Sequence, residues 1–139
     1  MDYKDDLKEY TEELINDSIF QVLMYGEEFP DALENYAVWL EAHSNEKSSS
    51  WLCFLISKTM EECVTGIGCA EDARKLKAFA EDVWAAYKAL PPGYKDILEE
   101  LCVQKLTWRT LRMIKYHSNH TIGVVRQKSL DALRKMVTQ

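Results

Sequence analysis

The chain has 139 residues, 47% hydrophobic and 29% charged, with a formal net charge of −6. A sequence of that size and balance fits a single domain, residues 1–139, with a real hydrophobic core, which excludes a disordered chain and a disulfide-dependent miniprotein. Five glycines and three prolines supply too few turns for a β-sandwich or a Rossmann sheet, so the expected fold is all-α with about six helices.

The opening Met1-Asp2-Tyr3-Lys4-Asp5-Asp6 is acidic and polar rather than a secretory signal, and no apolar run approaches the roughly 20 residues of a membrane span. A soluble intracellular protein with reduced thiols and no membrane insertion is expected. The first helix is predicted from about Asp6 to Tyr25, with Leu7, Tyr10, Leu14 and Ile15 near one face. Pro30 suits the first position of a second helix, which places Leu33, Tyr36, Ala37 and Leu40 at helical spacing. Ser44 to Ser50 reads as a polar connector whose last serines can cap a third helix.

That third helix opens with Trp51-Leu52-Cys53-Phe54-Leu55-Ile56, apolar on every face, so it must be covered on more than one side. A second subunit is the expected cover. Gly66 and Gly68 break it, and Leu76, Phe79, Ala80, Val83, Trp84, Tyr87 and Leu90 form an aromatic-rich stripe on a fourth helix. Together they read as an αα-hairpin over about 49–90 with more aromatic surface than one hairpin hides. Pro91-Pro92-Gly93 ends it. A fifth helix, about Tyr94 to Ser118, carries Ile97, Leu101, Trp108, Leu111 and Ile114, and a basic terminal helix carries Ile122, Val125, Leu130, Leu133 and Met136.

Charge is unevenly divided along the chain. From Lys105 onward, Lys105, Arg109, Arg112, Lys115, Arg126, Lys128, Arg134 and Lys135 face one acid, Asp131, whereas the preceding body is acidic. The basic part, about 105–139, suits nucleic acid or the acidic surface of a neighbouring copy.

Signals for catalysis are weak. His117 and His120 have no third ligand nearby, and Glu12-Glu13, Glu61-Glu62 and Glu99-Glu100 are adjacent pairs that point apart on helices. Phosphate-loop, nucleophile-elbow and zinc-protease motifs are missing from the sequence. Cys53, Cys63, Cys69 and Cys102 form no C-x-x-C pair and read either as buried small hydrophobes or as one thiol paired across a dimer. A non-enzymatic chain without a cofactor or metal is expected.

In order, these elements resemble the core (capsid) protein of hepatitis B-type viruses and related non-enveloped fish viruses. Glu28-Phe29-Pro30 resembles the family's Asp-Phe-Phe-Pro, and Trp108-Arg109-Thr110-Leu111 its Arg-x-Leu-Leu. His117-Ser118-Asn119-His120-Thr121-Ile122-Gly123 resembles its His-x-Ser-Cys-Leu-Thr-Phe-Gly, with a one-residue insertion needed to align Arg109 and Gly123 together. The resemblance implies a homodimer whose hairpins form a four-helix bundle through Trp51, Cys53, Phe54, Leu55, Cys63, Phe79, Trp84 and Tyr87. Cys53 or Cys63 would approach its symmetry mate. It further implies contacts between dimers through Ile122, Val125 and Leu133, and a nucleic-acid-facing surface of Arg126, Lys128, Arg134 and Lys135. The implied role is a virion shell around nucleic acid, assembled in the host cytoplasm or nucleus.

Two features depart from that family. Pro91-Pro92-Gly93 interrupts what is one continuous helix there, and the family's Arg-rich tail lies beyond the last residue of this sequence. The alternative expectation is a helical adaptor such as a Bcl-2-like viral apoptosis regulator, in which amphipathic helices wrap a central one and a groove receives a partner helix. Thr107-Trp108-Arg109 is the nearest match to that class's Asn-Trp-Gly-Arg.

Overall fold

The computed structural model describes residues 3–43, 51–55 and 59–139, apart from the side chains of Cys53 and Phe54. All regular elements among the described residues are helical. They are α1 (Tyr3–Leu7), α2 (Glu12–Tyr25), α3 (Phe29–His43), a 3-10 turn (Trp51–Leu55), α4 (Met60–Thr65), α5 (Ala70–Ala89), α6 (Pro92–Leu98), α7 (Trp108–Leu111) and α8 (Asn119–Thr138). α6 continues into a π-helical turn, Glu99–Val103, and α7 into another, Arg112–Tyr116. The predicted connector and serine caps at 44–50, and the Cys53 and Phe54 contacts, lie outside what is described.

Side-chain caps explain where several helices start. Thr11 accepts a hydrogen bond from the Leu14 amide at 3.1 Å, so α2 begins there and the predicted first helix is two helices. Thr59 does the same for Glu62 at 3.1 Å and starts α4 afresh. Gly26 adopts φ +100° between α2 and α3, where an added Cβ would meet a Glu28 carboxylate oxygen at 2.6 Å.

α5 lies at the centre. It packs chiefly along α3 and also meets α1, α2, the 51–55 turn and α8. Its stripe of Leu76, Phe79, Ala80, Val83, Trp84 and Tyr87 is buried, as is Leu90 just beyond it. Of the all-round apolar run, Trp51, Leu52 and Leu55 are buried among α2, α4 and α5. Tyr3, Trp51 and Phe79 form an edge-to-face aromatic cluster with ring centroids 5.7–6.0 Å apart. Asp6 seals it, accepting from the Trp51 indole at 2.8 Å and from Lys75 at 3.0 Å.

The expected hairpin of 49–90 is not shown by this arrangement. The arm preceding the Gly66 turn is a 3-10 turn and a short α4, because Thr59 caps a new helix start. α4 packs on α3 and on the 51–55 turn, and α5 takes α3 as its main neighbour. Trp51, Leu55, Cys63, Phe79, Trp84 and Tyr87, expected at a dimer interface, are all buried in the chain's own core.

α8 closes the core from the other side. Ile122 and Leu133, expected between dimers, are fully buried, and Val125 is half-buried against the same cluster. Arg134, expected to face nucleic acid, is buried instead. It donates to Asn16 at 3.1 Å and to Asp131 at 2.8 Å, and reaches Glu12 at 3.5 Å. Arg126 lies over the Phe20 ring, 4.2 Å from its centroid. Both arginines therefore fasten α8 to α2.

Phe79→Ala should lower unfolding free energy by about 3–5 kcal/mol, read from the urea midpoint, because the aromatic cluster loses its middle ring. The Trp51 indole and then Lys75 hold the Asp6 carboxyl below the usual aspartate range. A depressed folded value gives stability that is complete above the unfolded value, about 3.9, and lost as pH falls through the folded one. Asp6→Asn should therefore be less stable than wild type near neutral pH, with the difference narrowing below about pH 4. Urea melts across that range would show it.

Candidate interaction surface

Between the end of α6 and the start of α8 the chain makes a corner that exposes apolar side chains among polar ones such as Gln104, Arg109 and Lys115. Val103, Trp108, Met113 and Ile114 are exposed there, at 50%, 40%, 76% and 63%. A continuous fifth helix would have carried Trp108 and Ile114 on its buried face. The structure breaks that helix, and the break turns both outward.

The break is a backbone event. Each π-helical turn ends near a residue with left-handed φ, Lys105 at +59° and His117 at +63°. Wide hydrogen bonds close the two turns, from the Gln104 amide to the Glu99 carbonyl at 2.9 Å and from the His117 amide to the Arg112 carbonyl at 3.2 Å. Left-handed φ is costly for residues with a Cβ, so strain brackets this corner at both ends. New helices then start on side-chain caps: Thr107 accepts from the Thr110 amide and Ser118 from the Thr121 amide, each at 3.1 Å.

Polar anchors hold the inner side. Lys105 donates to the Met24 carbonyl at the end of α2, at 2.5 Å. Lys115 and Tyr116 both donate to Glu100, at 3.3 and 3.1 Å, and Leu111 is fully buried between them. Burial would lower the Lys115 ammonium, but the Glu100 carboxylate outweighs it and leaves the group above its usual value. Burial, with Glu100 adding to it, raises the Tyr116 hydroxyl. Arg109, exposed, and Arg112, half-buried, flank the apolar residues. Trp, Met and Arg beside one another is the composition of an interface centre.

Other exposed apolar side chains are Val38 and Trp39 on α3, Val124 and Met136 on α8, and Tyr94 on α6. Trp39 is sandwiched by Tyr36 and His43 of its own helix, with centroids 5.4 and 4.5 Å away, which covers its ring faces. Lys128 and Lys135 remain exposed on α8.

Among the described residues no group of three or more histidines, cysteines, aspartates or glutamates stands together to hold a metal, and no helix is long and apolar enough to cross a membrane. His117 and His120 are exposed. Cys63, Cys69 and Cys102 are buried and not joined in disulfides. Burial pushes the Cys102 thiol up to about 12, which removes the thiolate that nucleophilic or redox chemistry needs.

Compared with known proteins, the chain matches no family model, no curated protein and no solved structure. The sequence signal for the corner lay in Thr107-x-x-Thr110, a cap spacing inside the predicted fifth helix, and in Ser118-x-x-Thr121, where that helix is expected to end. No residue-type signal marks Lys105 or His117 as left-handed, since neither is Gly or Asn.

His117→Gly should raise unfolding free energy by up to about 1 kcal/mol, by relieving the left-handed backbone; a thermal melt reads the change. In a Cys53→Ser background the native protein should resist a thiol reagent at pH 8 and react fully in denaturant. Rapid native labelling of the remaining cysteines would contradict their burial.

Proposed function

We propose that this chain is a helical adaptor that binds another protein chain and performs no chemistry of its own. The observation that carries the reading is the anchored corner, where Val103, Trp108, Met113 and Ile114 stand in water while polar contacts and Leu111 fix the backbone beneath them. Apolar side chains left partly exposed on a fixed support gain free energy when a partner buries the remainder. The support is already ordered, so little conformational entropy opposes binding.

A shell-forming subunit of the hepadnavirus-core type is the second reading. The charge division favours it, with exposed Lys128 and Lys135 on the terminal helix and an acidic body elsewhere. In that reading, dimer and shell contacts are made by exposed surface such as the corner, because the hairpin residues fill the core of one chain. Virion assembly and nucleic-acid packaging belong to this reading alone.

Panning a displayed peptide library on the native protein tests the first. Peptides with an apolar face should be enriched and should bind the Met113→Ser, Ile114→Ser double variant at least about tenfold more weakly, while the variant's unfolding midpoint stays within about 0.5 kcal/mol. If none of the enriched peptides is weakened by the double variant, the corner is not the binding surface and the reading that rests on it falls. Light scattering at low and high salt separates the second: uniform large particles on screening support a shell, and a small species at every salt opposes it.

A further inference from the structure

Beside α8 runs a groove of about 510 Å³ lined by Leu90, Pro91 and Tyr94 on one wall and by residues of α8 on the other. On α8 the lining is Lys128, Asp131, Ala132, Lys135 and Met136, a stripe that keeps to one face of the helix for two turns. Tyr94 and Met136 are both exposed, at 43% and 36%, so the apolar floor is wet. The groove lies at the start of α6 and the C-terminal half of α8, away in sequence from the 103–116 corner.

Its charges are one-sided. Asp131, the acid of the lining, is already engaged by Asn16 at 2.8 Å, Gln127 at 3.2 Å and Arg134 at 2.8 Å. Lys128 and Lys135 form no ion pair with any described acid, although the chain carries a net charge of −6. Arg126 and Arg134, from the same basic stretch, are bound to the body of the protein, whereas these two lysines are held beside an apolar trough. They stand seven residues apart, about 10.5 Å along the helix axis.

We propose that this groove receives an acidic amphipathic helix of a partner protein. Apolar side chains of that helix fill the space over Pro91, Tyr94, Ala132 and Met136, and two carboxylates spaced two turns apart meet Lys128 and Lys135. A helix fits because the lysines and the floor repeat with helical period along α8, so a second helix laid beside it meets them in register. The lysines select for negative charge and speed encounter, and the apolar floor supplies the larger share of the free energy. This site stands independently of the corner: variants of one leave the other intact.

The probes are a synthetic amphipathic helix with leucines along one face and two glutamates two turns apart, its twin with lysines in place of those glutamates, and a single-stranded DNA oligonucleotide. Each is labelled and titrated with the full chain by fluorescence anisotropy. The glutamate helix should bind, weaken at least about tenfold when salt is raised to about 0.5 M, and leave the lysine twin unbound. Lys128→Glu with Lys135→Glu should lose the glutamate helix and gain the lysine twin, a swap that misfolding cannot produce. Binding should persist in the Met113→Ser, Ile114→Ser variant, which separates this site from the corner. Equal binding of both helices, no binding of either, or no response to the reversed charges would overturn the proposal. So would preference for the oligonucleotide, or sedimentation showing that the reversed charges disrupt a self-dimer of the unliganded chain.

Discussion

The contact on which the rest of the structure depends is the cluster of Tyr3, Trp51 and Phe79, closed by the Asp6 carboxylate. It joins three distant parts of the chain: the N-terminal helix, the 51–55 turn and the middle of α5. Aromatic side chains bury roughly 150–250 Å² each, so this cluster is where Trp51 finds its cover. The indole N–H is a donor that burial would strand, and Asp6 satisfies it while Lys75 balances the charge. Once that is in place, no second subunit is needed over Trp51 or Phe79.

Much of the fold was legible from periodicity. The α5 stripe from Leu76 to Leu90 and the alternation of Ile122, Leu130 and Leu133 on α8 are long amphipathic patterns, and tertiary packing follows them. The breaks were harder to read. Thr11 and Thr59 interrupt apolar stretches that a period of 3.6 reads straight through, because one side-chain oxygen accepting one amide is enough to restart a helix. The expected hairpin is not shown among the described residues, for this reason and for another. The apolar run at 51–56 shows that cover is required but not who provides it, and for the described 51–55 turn the neighbours are α2, α4 and α5.

Charge reading divided in the same way. The basic stretch after Lys105 is plain in the sequence, yet its members do different work. Arg134 is an internal tie to Asn16 and Asp131, Arg126 lies on Phe20, Lys105 clasps the end of α2, and Lys115 grips Glu100. Only distance and burial separate those from Lys128 and Lys135, which remain in water. The corner was the least legible part, since its outward apolar face follows from two left-handed residues that composition does not mark.

The most direct test of a core closed within one chain is the dependence of thermal unfolding on protein concentration, followed by tryptophan fluorescence. A midpoint unchanged over about a hundredfold dilution, with a monomer by sedimentation at the lowest concentration, is the predicted result. A midpoint that falls steadily with dilution would contradict it, because a core shared between two chains is lost as they separate.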